Sequence, residues 1–276
     1  MKQYRRRLLA HLARYKTARL GVRENGVWSR NGRPYSHILP EGLKRLNILE
    51  TIRTEFWDYV KDHPELQLHS DFHHLNSSQA MCFNLFFPLF GLPGANGGAL
   101  LRSLGLPQGP VKDWAFEHVF NIEEGTHFDF LLTGRSGRTV LFEVKLSESA
   151  FGNATPDERH HKKLDTIYRP ALAGKVVPEC LRAGKFFRHY QLFRNVAYAD
   201  AEGRAHVVLL VPRQNDLLRR EVGLLDALLQ PGIRRVVHVL WLEDLVTAIR
   251  SAARFGVLAA HFGMFEEKYV IRQVGN

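Results

Sequence analysis

"THFDFLLTGRSGRTVLFEVKLSE", residues 126–148, decides the fold. Two apolar-rich runs flank a turn bearing two glycines, and side chains along a strand alternate between its faces. In the second run Val140, Phe142, Val144 and Leu146 share one face, while Thr139, Leu141, Glu143, Lys145 and Ser147 share the other. In the first, Phe128, Phe130 and Leu132 lie opposite His127, Asp129 and Leu131. Bringing the apolar faces together makes a hairpin. A loop from Gly134 to Arg138 pairs Thr133 with Thr139 and sets Asp129 opposite Glu143. The same count across Asn121–Gly125 pairs Phe120 with Thr126 and puts Glu117 opposite Asp129, so carboxylates stand in a row across three strands.

Like charges on cross-strand neighbours, about 5 Å apart at Cβ, destabilise a sheet unless protons or a cation neutralise them. Mg²⁺ suits such a row, because it takes one or two carboxylates, keeps several waters and completes its shell with phosphate oxygens. Lys145, one pleat from Glu143, reaches the same phosphate. Spacing alone is weak evidence, since acid-any-Lys recurs at Glu266–Lys268. Only the first copy sits in a strand-like run with an apolar opposite face and an acid set alongside by the turn.

Around the hairpin the chain reads as α/β. Leu46, Leu49, Ile52, Phe56 and Val60 recur at helical spacing and predict a helix from Leu43 to Asp62, stopped by Pro64. Asn76 or Ser77 is positioned to cap a helix running through "SSQAMCFNLFFPLF", and the Gly-rich stretch 91–109 reads as a loop. "KDWAFEHVF" supplies the first strand of a meander. After a polar connection, "KFFRHYQLFRNVAYAD" reads as one helix. "AHVVLLVP" and "RVVHVLWL" read as strands covered on both faces, with helical patterns following at Asp216–Leu229 and Glu243–Phe255. With no internal repeat, the parse is one domain over 1–276: a basic helical N-terminal extension (1–75), a core (76–255) and a tail (256–276).

Composition narrows the class. A chain of 276 residues, 45% hydrophobic, supports a packed core, and no apolar run is long enough for a membrane span. Cys82 and Cys180 have no partners at zinc-type spacing and read as buried thiols of a reducing, cytoplasmic protein. A formal charge of +10 favours a polyanionic partner. The first 23 residues hold eight Lys or Arg and no acid; without Ser they read as a docked basic helix, with Arg5, Arg6 and Arg7 outward, rather than a transit peptide. His69, Asp71, His73 and His74 lack the helical frame of a zinc site and read as solvated or capping residues. His160–Lys163 forms a basic patch open to either a nucleic-acid or a solvated reading.

Asp129 with Glu143–Val144–Lys145, followed by a helix and a hydrophobic strand, resembles the PD-(D/E)XK, or restriction-endonuclease-like, nuclease superfamily. The likeness runs over roughly 77–211, and "NGRPYSHILP" and "SSQAMCFNLF" resemble segments of a bacterial branch. One departure is "THFD", where no proline precedes the aspartate. The resemblance implies an αβββαβ core with a mixed central sheet and metal-dependent hydrolysis of phosphodiester bonds, with DNA as the expected substrate. Asp129 and Glu143 would hold Mg²⁺ or Mn²⁺ with Glu117 as a third ligand, and Lys145 would orient water or stabilise the charged phosphorane. Gln191 falls on the following helix, where related nucleases place an active-site Gln, and Arg188 and Arg194 could meet backbone phosphates. The alternative is a catalytically silent protein on the same fold that binds nucleic acid or a protein partner. A protein partner or a homodimer stays open, as do strand preference and endo or exo action.

Overall fold

The computed structural model describes residues 3–271 apart from 96, 107–109, 121–124 and 254–255. Its strands are β1 (Gly26–Trp28), β2 (Arg33–Tyr35), β3 (Val111–Val119), β4 (His127–Gly134), β5 (Thr139–Val144), β6 (Ala205–Val211) and β7 (Val237–Trp241). β1 and β2 form a hairpin, and the other five form a mixed sheet in the order β3-β4-β5-β6-β7. β3, β4 and β5 run antiparallel as the expected meander, and β6 and β7 join in parallel. Contacts divide the chain into two compact units, 1–104 with 242–276, and 105–241. Where the sequence reading drew steps at 75 and 255, the capped helix near Ser77 and the whole C-terminal segment belong to the first unit.

The hairpin register is the one that alternation and loop length dictate. Thr133 pairs with Thr139 and Phe130 with Phe142. Gly137, at φ 79°, occupies the left-handed region that glycine enters without a Cβ penalty, and the Gly134 N–H closes the loop on the Arg138 carbonyl. Across β3 and β4, Phe116 pairs with Phe130 and His118 with Phe128, which brackets Glu117 against Asp129. Residues 121–124 of the turn used for that count lie outside the described residues. Glu117 itself has φ 50°, the one non-glycine with positive φ among the described residues.

In the second unit the sheet is covered by the helices between 158 and 234. Leu131, Leu141, Val207, Leu209 and Val237 form one core with Leu164, Tyr168, Phe186, Leu192, Phe193 and Val196. Phe130, Leu132, Val140, Phe142, Val208 and Leu210 on the opposite face are buried too. The face carrying Glu143 and Lys145 is therefore an interior surface, where an unpaired charge is costly.

Several expectations between the strands shift: the helical pattern at Asp216–Leu229 is two helices, Asp216–Val222 and Leu225–Leu228, and the tail carries a helix, Gly256–Tyr269. The helix expected from Leu43 begins at Arg53, after 3₁₀ turns at Glu41–Asn47 and Glu50–Ile52. Buried Asn47 ties this segment to the Phe72 and His74 carbonyls, and Asn84 accepts the Leu49 N–H. A short helix, Gly97–Ser103, interrupts the Gly-rich stretch. The single helix expected over 185–200 is two, Ala183–Arg188 and Tyr190–Ala197, broken at His189. There the Gln191 N–H bonds the Gly152 carbonyl and the Phe187 carbonyl accepts from Ala154, so a loop inserts into the helical ladder.

In the first unit, the Gln3–Leu20 helix buries Tyr4, Leu8, Leu12 and Tyr15 and exposes Arg5 and Arg6. Ser77 caps the Ser78–Phe90 helix by accepting the Ala80 N–H. Both cysteines are free and buried. Among the described residues no helix is long and apolar enough to cross a membrane.

Candidate active site

The site forms where β5 ends. β4 and β5 stop pairing at Phe130 and Phe142, and the next donor on β5, the Val144 N–H, is taken by Asp129 Oδ2 at 2.6 Å. The Asp129 side chain thus replaces a missing ladder carbonyl and is fixed by it. Glu143, 2% exposed at its side chain, places Oε1 2.6 Å from Lys145 Nζ. From the Tyr190–Ala197 helix, Gln191 Nε2 donates to the same oxygen at 2.6 Å and Asn195 Nδ2 donates to Oε2 at 2.9 Å. One helical turn separates Gln191 from Asn195, so both reach one carboxylate.

Charge is distributed unevenly. Burial first, then the carboxylates of Glu143 and Glu117, push Asp129 well above the ordinary carboxylate range, against the pull of Lys145 and the Val144 N–H. Burial works against the Lys145 ammonium, yet the carboxylates of Glu143, Glu148 and Asp129 outweigh it and hold Lys145 above its usual range. Lys145 therefore stays charged at neutral pH, with its side chain 12% exposed.

Four side chains expected to cooperate, Asp129, Glu143, Lys145 and Gln191, are thus brought together, and Glu117 acts on Asp129 through its charge. Among the described residues no group of three or more His, Cys, Asp or Glu side chains is arranged as a ready metal cluster. Glu143 instead turns both oxygens toward nitrogen donors. Arg188 is exposed at the end of its helix. Arg194 is engaged internally, donating to Thr126 Oγ1 at 3.0 Å and the Gly125 carbonyl at 2.7 Å and lying over the Tyr190 ring. In the first unit, His73, which pairs with Glu41, and His74, which approaches Asp71, are buried rather than solvated.

Asn195, one helical turn from Gln191, has no role in the sequence reading. That reading missed Glu148, whose Oε2 accepts the Leu146 N–H while its charge acts on Lys145. Strand alternation stops at Val144, so no periodicity points to Glu148. It also missed the supports of Gln191. Glu221 bonds the Phe151 N–H at 2.9 Å and His189 Nδ1 at 3.1 Å, holding the loop and the helix start that flank Gln191. Only the tertiary fold joins residues so far apart in sequence.

No curated protein and no solved structure matches the chain. A family model does, over residues 9–270, which takes in both compact units and the whole cluster around Glu143. The chain belongs to the family described as restriction endonuclease associating with ARP.

Proposed function

We propose that this protein is a metal-dependent nuclease of the PD-(D/E)XK type that hydrolyses phosphodiester bonds in DNA in the cytoplasm. The observation that carries the reading is the convergence of Lys145 and Gln191 on Glu143 beside Asp129, inside an otherwise apolar layer. Ionisable groups gathered in such a layer cost stability, and such clusters are characteristic of functional sites. Membership in a restriction endonuclease family and the charge of +10 support the same reading.

The residues fit a hard divalent cation on two counts. Asp129 is held above its ordinary range by burial and then by the neighbouring Glu143 and Glu117 carboxylates, and Asn195 Oδ1 is buried without a hydrogen-bond partner, an acceptor suited to a bound water. Asp129 and Glu143 would hold Mg²⁺ or Mn²⁺, with Glu117 beside them. When bound, the ion would polarise a phosphoryl oxygen and make water a better nucleophile. Lys145, held charged, would orient the attacking water and offset charge as it develops on the phosphorus oxygens. Gln191 would hold the Glu143 carboxylate in register, and Arg188 would meet a backbone phosphate.

A second reading, a silent nucleic-acid- or partner-binding protein, is favoured by one observation: both Glu143 oxygens are already taken by nitrogen donors. Cleavage of plasmid, linear and single-stranded DNA by wild type and Lys145→Ala, with Mg²⁺, Mn²⁺ or EDTA, separates the two. Metal-dependent cutting that the variant lacks supports the nuclease. No cutting by wild type, with salt-sensitive DNA binding retained, supports the second reading.

A further inference from the structure

The basic patch at 160–163 has no part in the site described above, yet the fold ties it to the helix that carries Gln191. Asp157 caps the short Glu158–Lys163 helix by accepting the His160 N–H at 2.8 Å, and the same oxygen contacts His160 Nδ1. The His160 ring stands edge-on to Tyr190 at 5.3 Å, and His161 stands edge-on to Phe187 at 4.9 Å. Both histidines are therefore anchors. They dock the helix on the Ala183–Arg188 and Tyr190–Ala197 pair, immediately before Gln191 in the chain.

His160 is half-buried and His161 rests on Phe187 while still exposed, and the docked helix leaves Arg159 and Lys162 exposed too, spaced three residues apart and so on one face. Arg188, also exposed, directly follows the Phe187 ring that receives His161. The stretch 182–194 adds Arg182, Lys185, Arg188 and Arg194 and contains no acid. A π-helical turn, Leu164–Tyr168, follows the docked helix, an uncommon irregularity that is frequent at functional sites.

We propose that Arg159 and Lys162, together with Arg188, form a clamp for the sugar-phosphate backbone of a nucleic acid. His160 and His161 serve as its hinge pins rather than as ligands. The inference rests on nucleic acid being the substrate class, and it assigns the backbone contact to a segment outside the Asp129–Lys145 hairpin. Arginine and lysine at this spacing match successive phosphates without reading bases, so the clamp contributes affinity and salt dependence rather than sequence preference.

The test measures binding, not cleavage. Labelled duplex and single-stranded oligonucleotides are titrated by anisotropy in EDTA, which withholds the metal needed for cleavage, at several salt concentrations, with wild type as the parent. Adding Arg159→Glu and Lys162→Glu is expected to lower affinity about tenfold or more and to reduce the salt slope by about 2. A charge-matched control, Arg220→Glu with Arg235→Glu, alters exposed cations elsewhere in the same unit and is expected to change affinity by less than about threefold. Equal losses in both pairs, or no loss in the first with unchanged thermal stability, would overturn the clamp while leaving the nuclease reading intact. A parent that binds no nucleic acid would overturn both. Displacement of the labelled DNA by polyaspartate as readily as by unlabelled DNA would reassign the surface to an acidic protein partner.

Discussion

Asp129→Asn should make this protein more stable. In the native fold the Asp129 carboxylate is buried beside Glu143 and within the field of Glu117, with Lys145 and the Val144 N–H favouring its charge. Two carboxylates about 5 Å apart repel by about 3 kcal/mol at an effective dielectric of about 20, and the Lys145 ammonium offsets part of this. Asparagine keeps an oxygen to accept the Val144 N–H and removes the charge, at a cost of about 1 kcal/mol for the weaker hydrogen bond. A net gain of about 1–2 kcal/mol at pH 7–8 follows, the range typical of relieving a destabilised functional site. The sign of its pH dependence is fixed. Because the folded-state pKa of Asp129 is raised, the wild type takes up a proton on folding over the window between the ordinary carboxylate pKa of about 4 and the raised value. Its disadvantage relative to Asn is therefore absent below about pH 4 and grows as pH rises through the raised pKa. Urea unfolding in EDTA, followed by tryptophan fluorescence at pH 5, 6.5 and 8, reads the difference directly. An Asn variant less stable than wild type at pH 8, or a gap that does not change with pH, would refute the claim that Asp129 is under-neutralised.

Gly152→Ala is expected to disturb the site from outside it, because a Cβ there would lie 2.8 Å from Gln191 Oε1 on a backbone at φ 139°. Destabilisation of about 1–3 kcal/mol, with weakened Mn²⁺ binding by titration calorimetry, would show it. Lys268, wholly buried on the Gly256–Tyr269 helix, donates to the Asn47 carbonyl and Oδ1 at 2.6 and 2.7 Å, and burial, then Arg53, holds its pKa well below the lysine range. Folding therefore releases protons near this lysine, and stability should rise with pH toward about 10; Lys268→Met should flatten that rise and cost about 1–3 kcal/mol through the orphaned Asn47 Oδ1, the Asn47 carbonyl still accepting from Asn84, as urea midpoints at pH 7, 8.5 and 10 would reveal. Arg194→Ala should cost about 1–3 kcal/mol and speed hydrogen exchange around Gly125 and Thr126, whereas Arg188→Ala should leave exchange unchanged and weaken DNA binding.

The hairpin was legible because strand alternation has a period of two and a short loop fixes register, so residue counting alone sets Asp129 against Glu143 and brackets Glu117. The mixed sheet came from the resemblance; of the two nearly apolar runs read as strands covered on both faces, β6 is buried almost throughout, whereas β7, at the sheet edge, is only half-buried beyond Val237. What periodicity could not supply was competition for backbone groups. The helix expected from Leu43 gave way where Asn47 and Asn84 claimed the local donors and acceptors, and the helix carrying Gln191 broke where the loop at Gly152 took its N–H. Both events join segments far apart in sequence. Glu148 and Glu221 were hidden for the same reason, since each acts on residues that its own local pattern does not predict.

The two acids that the sequence set side by side thus end in different states. Glu143 is fully answered: Lys145 and Gln191 share one oxygen and Asn195 takes the other. Asp129 has the Val144 N–H and a share of the Lys145 field against two neighbouring carboxylates, and its charge remains the costly one. Identical chemistry on adjacent strands has been split by a single helix, which delivers its amides to Glu143. An entering cation would therefore gain most at Asp129, where it relieves repulsion, and least at Glu143, where it must compete with an ammonium held 2.6 Å away. Displacing that ammonium from Glu143 would free a charged donor beside any bound phosphate, so the contact that makes the resting site look like a structural ion pair also keeps Lys145 charged and close at hand for chemistry.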